Sequence, residues 1–258
     1  MATVLVISSQ VAASRVGASA GAFVLRRLGH EAVVLPTVLL GRHPGWGAPG
    51  GGAVAASHLH SMWDAIRAQN LRFDAVQTGY FAHPAQIDLA ADIIDTLQPS
   101  TVMVDPVIGD NGALYVPQTI AEPIRDTLLP RATLITPNLW EYDWLTRHAP
   151  IPAGVAELIT SADYGSLIGA EYRDGTTTLS VRHERFASVP HGGGDTLAAL
   201  WLAHALDGLA PADNLARSVG SVLAILRAAV ESDAGELPLA REQARLLHPD
   251  ALEVTHAR

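Results

Sequence analysis

The sequence of 258 residues contains no cysteine, and its 17 basic residues are all arginine, so lysine is absent as well. Without cysteine, disulfides, thiolate nucleophiles and cysteine-ligated metal sites are excluded. Without lysine, no phosphate-binding loop of the GxxxxGKS or GxxxxGKT type can form. No HExxH, CxxC or paired-histidine spacing points to a transition-metal site.

Charged residues and long apolar runs are also scarce. Charged residues make up 17% of the chain and hydrophobic residues 48%, a balance that excludes a disordered chain. The formal net charge of −9 argues against a binder of nucleic acid or other polyanions. No apolar run reaches membrane-spanning length, and the first residues lack the basic segment of a signal peptide. We therefore expect a cytoplasmic protein without nucleic-acid or membrane partners.

The first half of the chain alternates between strand and helix patterns. Five apolar, β-branched runs are typical of strands buried on both faces: 3–7, 32–35, 74–78, 101–104 and 132–135. Five segments have helical spacing: about 17–29, 54–69, 84–97 and 118–129, and one from 137 or 138 to about 147. Such alternation predicts an α/β fold with a parallel sheet and right-handed crossovers.

After Arg147 the alternation ends. Three further strands are predicted at 157–160, 166–170 and 176–181, the last two as an antiparallel edge hairpin. Helices are expected at about 195–207, 212–230 and 238–247. The glycine- and proline-rich stretch 41–52 lies inside the alternation, so we expect a surface loop or lid there and a single domain over 1–258.

A glycine run precedes the first of these helices: Gly192, Gly193 and Gly194, followed by Asp195. Successive glycines allow several backbone N–H groups to point at one spot, and a helix N-terminus favours an anion there. A carboxylate at this place suits removal of a hydroxyl proton while the amides hold a transferred phosphoryl group. An aspartate N-cap after a flexible turn would explain the same residues, so the run alone does not decide.

Polar residues gather where the predicted strands end, at Ser9, 37–46, Gly79-Tyr80, Asp105, 136–138 and 160–161. Ligands bind at the carboxyl ends of the strands in an open parallel sheet. Each position also has a structural explanation, such as a turn at Asp105 or a helix start at Asn138 with Glu141. Their collection on the edge that holds the glycine run nevertheless predicts a functional site, where Asp105 and Glu141 act through Mg²⁺.

In this order the motifs resemble those of the pyridoxal kinases, which belong to the ribokinase-like superfamily. The resemblance covers about residues 4–230 and rests on Ser9 with 17–19, His43–Gly47 (HPGWG), Thr78–Tyr80 (TGY), Asp105–Asp110 (DPVIGD), Pro137–Glu141 (PNLWE) and Gly192–Asp195 (GGGD). It implies a three-layer α-β-α sandwich around a mostly parallel sheet. It also implies ATP-dependent phosphorylation of the 5′-hydroxyl of pyridoxal, with pyridoxine and pyridoxamine as candidate substrates, in a homodimer.

The same resemblance implies roles for individual residues. Asp195 would be the base, and the amides of Gly192, Gly193 and Gly194 would form the anion hole. The implied substrate residues are Ser9, Gly17, Val38, His43 and Tyr80, and the implied ATP-binding residues are Asp105, Asn138, Glu141, Thr160 and Ser161. Asp105 and Glu141 would also handle Mg²⁺, and a requirement for a monovalent cation stays open.

This sequence departs from the family pattern at three places. Gly193 stands where a threonine is usual, and Pro44 and Trp46 replace residues of an H-T-x-Y substrate loop. Residues 148–155 are too few for the helix that usually precedes the strand at 157–160. Either this chain dispenses with that helix or residues are missing there. The strands at 132–135 and 157–160 would be hard to pair without a crossover, which favours missing residues.

Two alternatives stay open. One is a hydroxymethylpyrimidine kinase of the same superfamily, and the other is a catalytically weak pyridoxal-binding protein on the same fold. A dinucleotide-binding oxidoreductase is disfavoured, because Gly17 and Gly21 do not complete a GxGxxG motif.

Overall fold

The computed structural model describes residues 1–256. Ten strands form one sheet: β1 (Thr3–Val11), β2 (Glu31–Leu40), β3 (Gly51–Ala53), β4 (Ala75–Thr78), β5 (Thr101–Val104), β8 (Leu134–Ile135), β9 (Ala156–Tyr164), β10 (Leu167–Arg173), β11 (Thr178–Glu184) and β12 (Thr255–His256). A separate two-stranded ribbon consists of β6 (Gly109–Asp110) and β7 (Ala113–Leu114).

The sheet order is β12-β11-β10-β9-β8-β5-β4-β1-β2-β3. The six strands from β9 to β2 in this order pair in parallel. The remaining strands pair antiparallel, with β3 against β2 at one edge and β10, β11 and β12 beyond β9 at the other. The mostly parallel sheet with an antiparallel edge hairpin is therefore confirmed.

Within residues 1–256, eight α-helices cover the sheet: α1 (Gly17–Arg27), α2 (Ala56–Arg67), α3 (Pro84–Leu97), α4 (Gln118–Pro123), α5 (Leu139–His148), α6 (Gly193–Leu206), α7 (Pro211–Glu231) and α8 (Ala244–Leu247). Alternate residues of β1 face opposite layers, because successive side chains of a strand point to opposite sides. Val4 and Val6 pack with α1, α6 and α7, whereas Leu5 and Ile7 pack with α2, α3 and α5. The three-layer sandwich is confirmed.

Two expected helices differ from the structure. The helix expected at 118–129 is interrupted after Pro123 by a π-helical turn, Ile124–Leu128, and a 3-10 turn, Leu129–Arg131. Pro123 removes a backbone N–H and crowds the preceding turn, which disrupts the regular helix. The helix expected at 238–247 is helical only at Ala244–Leu247, and the chain before it forms turns.

The stretch 41–52, expected to be a loop, contributes two of its residues to β3. Gly51 has a φ of +78°, and a Cβ there would overlap the carbonyl oxygen of Leu39 on β2. Only glycine therefore permits this close antiparallel pairing. The short strand anchors the far end of the loop, while residues 43–47 project beyond it.

The crossover between β8 and β9 exists, contrary to our expectation. Helix α5 itself connects them, and the segment 149–155 returns the chain so that Leu134 pairs in parallel with Ala156. A helix followed by a short return is enough for a parallel connection. The expectation that these two strands lack a crossover was therefore wrong. No helix within residues 1–256 is long and apolar enough to cross a membrane.

Candidate active site

Ser9 and Gly17 lie against each other at the carboxyl end of β1. The pairing of β1 with β2 shifts register between Ser8 and Gln10, so Ser9 sits at a bulge. Bulges commonly redirect a side chain next to a site. Gly17 begins α1 with a φ of +54°, and a Cβ on it would overlap the Ser9 hydroxyl. Glycine is therefore required for α1 to begin this close to β1.

The glycine run caps α6, but Asp195 does not. Gly192 is the N-cap residue, with a φ of +99°, and a Cβ on it would overlap the carbonyl oxygen of Arg15. The alternative that Asp195 merely caps the helix is therefore wrong, since it lies inside the first turn. The N–H groups of Gly193 and Gly194, at the start of this turn, have no carbonyl partner within the helix and can meet an anion.

The environment of Asp195 suits a proton acceptor. Burial raises the pKa of Asp195 above its ordinary value, and the N–H groups of Gly17 and of Asp195 itself partly offset that rise. His191 also lowers this pKa by its charge. A carboxylate with a raised pKa is a better base for a hydroxyl proton than an ordinary aspartate.

Glu141 is held by backbone groups on both of its oxygens. Asn138 and Glu141 form a capping box, in which each side chain accepts from the other's backbone N–H at 2.9 Å. The Oε1 of Glu141 also accepts from the N–H groups of Ile108 and Gly109, at 2.9 and 3.2 Å. Burial raises the pKa of Glu141 to about 7, although these N–H groups lower it. Glu141 thus fixes the loop that follows β5.

Asp105 stands at the end of β5, between the two groups described above. Burial raises the pKa of Asp105 well above its ordinary value, and the charges of Asp195 and Glu141 raise it further. The mutual repulsion shows that these carboxylates lie near one another. In the described part of the chain, no group of three or more acidic or histidine side chains could hold a metal ion. A Mg²⁺ here would need phosphate or water oxygens as additional ligands.

Tyr115 lies near these carboxylates, and no pattern in the sequence indicated it. Tyr115 follows the β6–β7 ribbon and is 55% exposed. Partial burial of its phenol and the charges of Glu141 and Asp105 raise the pKa of Tyr115. Asp110, in the DPVIGD motif, acts in the same direction. The strands of this ribbon are too short to give a periodic pattern, so the sequence did not indicate the residue that follows them.

Val38 and Tyr80 flank Ser9 from the two neighbouring strands, since Val38 belongs to β2 and Tyr80 follows β4. Val38 is buried on β2 and pairs with Ala53. The hydroxyl of Thr37 donates to the carbonyl oxygen of Tyr80 at 2.6 Å, and the N–H of Tyr80 donates to the Ser8 hydroxyl at 3.3 Å. The ends of β1, β2 and β4 are therefore joined by side-chain hydrogen bonds.

His43 links the loop after β2 to the glycine run. Its ring lies 4.3 Å from the ring of His191, at an interplanar angle of 30°. The N–H of Gly45 donates to His43 Nδ1 at 3.1 Å, which orients the ring. Burial and the neighbouring His191 lower the pKa of His43. His191, which we did not predict as a site residue, thus lies between the His43 loop and Asp195.

Thr160 and Ser161 lie at the Asn138 side of this edge. Thr160 donates its N–H to the carbonyl oxygen of Pro137 at 2.8 Å and pairs in parallel with Asn138. Ser161 has a φ of +55°, a left-handed conformation that is uncommon outside glycine. Strained residues of this kind gather at binding sites. The edge thus has one group around Asp195 and one around Asn138, with Asp105 between them.

The amide-lined turn beside Asp195, set at the carboxyl edge of this sheet, is suited to phosphoryl transfer, the reaction of a kinase. The family model described as phosphomethylpyrimidine kinase matches residues 52–240. Pyridoxal kinase of Sus scrofa is 31% identical over 78% of this chain and 74% of its own length. Pyridoxal kinase PdxY of Corynebacterium diphtheriae is 28% identical over 95% of this chain and 96% of its own. The chain belongs to the pyridoxal kinase family.

A solved structure agrees with this at the level of the fold. Pyridoxal kinase from Leishmania donovani, in complex with ADP and pyridoxine, superposes with a TM-score of 0.89. It is 22% identical, and the match covers 99% of each chain. The expected ribokinase-like architecture is therefore confirmed.

Proposed function

We propose that this protein transfers the γ-phosphoryl group of ATP to the 5′-hydroxyl of pyridoxal, giving pyridoxal 5′-phosphate for vitamin B6 salvage. The observation that carries this proposal is the position of Asp195, a carboxylate of raised pKa in the first turn of α6. The choice of ATP and of a pyridoxal-like substrate is supported by relatives that are themselves pyridoxal kinases.

In the reaction, the substrate oxygen forms a bond to the γ-phosphorus while the bond to the β-phosphate oxygen breaks and ADP leaves. Asp195 accepts the hydroxyl proton as that bond forms. The N–H groups of Gly193 and Gly194 face the transferred phosphoryl group and stabilise its charge together with the positive end of the α6 dipole. The carboxylate repels a phosphate in the ground state but is neutralised once it holds the proton.

The substrate ring belongs between β1 and the loops that surround its carboxyl end. Ser9, redirected by the bulge in β1, hydrogen-bonds the pyridine ring. Val38 supplies an apolar wall, and His43 and Tyr80 close around the ring. Gly17 leaves room for the Ser9 side chain and directs its N–H at Asp195.

ATP lies along the other group of residues, with Asp105, Asn138 and Glu141 near its phosphates and Thr160 and Ser161 along the nucleotide. Oxygen ligands of this kind suit Mg²⁺, which when bound neutralises phosphate charge. Glu141 already accepts three backbone hydrogen bonds, so Asp105 is the better direct ligand. Glu141 acts through water and by holding the loop after β5.

The deciding experiment is ATP turnover with Mg²⁺, with pyridoxal, pyridoxine, pyridoxamine and hydroxymethylpyrimidine supplied separately. We expect phosphorylation of pyridoxal at its 5′-hydroxyl. The description of the matching family model favours hydroxymethylpyrimidine kinase as the second candidate, and turnover of that compound alone would establish it. Tight pyridoxal binding without turnover of any compound would establish a binding protein instead.

We also propose that the protein is a cytoplasmic homodimer, as the family resemblance implies. Light scattering of the purified protein would test the assembly. A mass near 27.2 kDa at micromolar concentration would contradict it.

A further inference from the structure

A single carboxylate, Glu236, joins three loops beside the candidate site. It lies in the turns between α7 and α8. Its Oε1 accepts from the Ser14 hydroxyl at 2.7 Å and from the indole N–H of Trp46 at 2.8 Å. Its Oε2 accepts from the backbone N–H of Arg15 at 3.0 Å. The Ser14 hydroxyl in turn accepts from the N–H of His43 at 3.1 Å.

The packing around Glu236 is as close as its hydrogen bonding. A Cβ on the neighbouring Gly235 would stand 2.5 Å from the indole of Trp46. Glycine at this position therefore lets the indole pack directly against the backbone. On the other side, a Cβ built on Gly192 would overlap the carbonyl oxygen of Arg15 and would stand 3.2 Å from the side chain of Leu237. The same segment thus touches both the His43 loop and the glycine run.

Trp46 depends on these contacts for its position. It is 52% exposed, so apolar burial alone does not hold it. The loop that carries it, residues 43–47, has a 3-10 turn at Pro44–Trp46 and no strand pairing. Burial raises the pKa of Glu236, but the hydrogen bonds from Ser14, Arg15 and Trp46 lower it more, so this pKa lies below its ordinary value. Glu236 is thus a charged acceptor, and hydrogen bonds to charged acceptors are the stronger ones.

We propose that Glu236 is a positioning residue, which holds the 43–47 loop against the loop between β1 and α1 and so keeps His43 over the substrate. This inference rests on the proposed function, because it takes His43 to face pyridoxal. The residues proposed to bind ATP lie away from these loops: Asp105 follows β5, and Thr160 belongs to β9. Loss of Glu236 should therefore weaken the binding of pyridoxal and leave the binding of ATP unchanged.

Three substitutions separate the contacts. Glu236→Gln keeps the size of the side chain but removes its charge. Trp46→Phe removes the N–H donor of the indole together with part of the ring. Gly235→Ala adds a methyl group that displaces the indole. The matched control is Glu242→Gln, a partly buried carboxylate of the same segment that bonds Arg241 at 3.0 Å. The measurements are kcat, KM for each substrate, the thermal midpoint and hydrogen exchange of residues 43–47 without ligand.

We expect each of the three variants to raise KM for pyridoxal by about tenfold, which corresponds to the loss of one hydrogen bond to a charged group. The KM for ATP should stay within about twofold of the wild-type value. Exchange in residues 43–47 should become faster, while Glu242→Gln behaves as wild type. Unchanged exchange in Glu236→Gln would overturn the inference. Equal rises in both KM values with a lower thermal midpoint would also overturn it, since they indicate general destabilisation. A wild-type protein inactive on pyridoxal would overturn the proposed function, and the exchange data would still test the loop.

Discussion

Gly17 lies directly against Ser9: a methyl group on Gly17 would overlap the Ser9 hydroxyl and stand 2.6 Å from its carbonyl oxygen. Burial raises the pKa of Asp195, and the backbone N–H of Gly17 lowers it. One glycine thus brings the bulge of β1 and the carboxylate of α6 together. The two halves of the proposed reaction, substrate binding and proton removal, meet at this residue.

Substitution of Gly17 by alanine should therefore damage both stability and turnover. A non-glycine residue with positive φ that also overlaps its neighbours costs roughly 1 to 3 kcal/mol or more. Gly29→Ala is the matched control: its φ is +88°, but within the described residues no atom lies within 4 Å of the added Cβ. Urea unfolding of both variants checks the difference, and equal losses would show that contact with Ser9 is unimportant.

Asp195→Asn should abolish turnover while retaining ligand binding. The amide keeps the size of the side chain but cannot accept the proton, so we expect kcat to fall by about 10² to 10⁴-fold. Calorimetric titration with pyridoxal should give a Kd close to that of wild type. Asp213→Asn, an acidic residue in the first turn of α7, provides the control. A kcat for Asp195→Asn close to that of the wild type would remove the base assignment.

Gly192 and Gly193, which are adjacent in the glycine run, should respond in opposite ways to substitution by alanine. Gly193 lies in the helix, and a Cβ on it would meet Leu226 at 3.9 Å, an ordinary contact. Gly193→Ala should therefore stabilise the protein by about 0.4 to 1 kcal/mol. Gly193→Thr, which restores the residue usual in the family, should fold and remain active. Gly192→Ala should lose both stability and turnover, because its φ is +99° and the Cβ would overlap Arg15.

Chemical denaturation and turnover assays compare these variants. The prediction concerns the order of the two glycines, so each serves as the control of the other. A destabilised Gly193→Ala together with an unaffected Gly192→Ala would contradict the geometry described for the glycine run.

Glu141 should make stability fall with rising pH. Burial raises its pKa to about 7 in the folded protein, against an ordinary value of 4.5. The folded state therefore holds the proton more tightly, and this contribution is complete below pH 4.5 and lost as the pH rises through 7. Relative to Glu141→Gln, the wild type should lose on the order of 3 kcal/mol of unfolding free energy across this range.

The variant serves as the reference because other groups titrate too. Hydrogen bonding with Arg131 lowers the pKa of Asp95, so its contribution is lost at more acidic pH and is the same in both proteins. Unfolding by urea at several pH values between 4.5 and 8 gives the comparison. Parallel curves for the two proteins would show that Glu141 is ionised throughout.

The sequence by itself determined the alternation of strands and helices, the edge of the sheet that carries the site and the start of α5. These features are local. A buried strand shows as a short apolar run, and Asn138 and Glu141 are three residues apart, which is the spacing of a capping box. The glycines before Asp195 are likewise consecutive, so their backbone freedom is visible without any knowledge of distant contacts.

Only the tertiary structure decided which distant groups meet these residues. Glu236 and Ser14 are 222 positions apart, and no periodicity relates them. Tyr115 comes near the carboxylates through the two-stranded ribbon that precedes it, and His191 meets His43 across two loops. The crossover by α5 was likewise missed, because the length of a return depends on where the chain stands after folding. Long-range contacts depend on the packing of the whole chain, whereas local patterns reflect only the preferences of neighbouring residues.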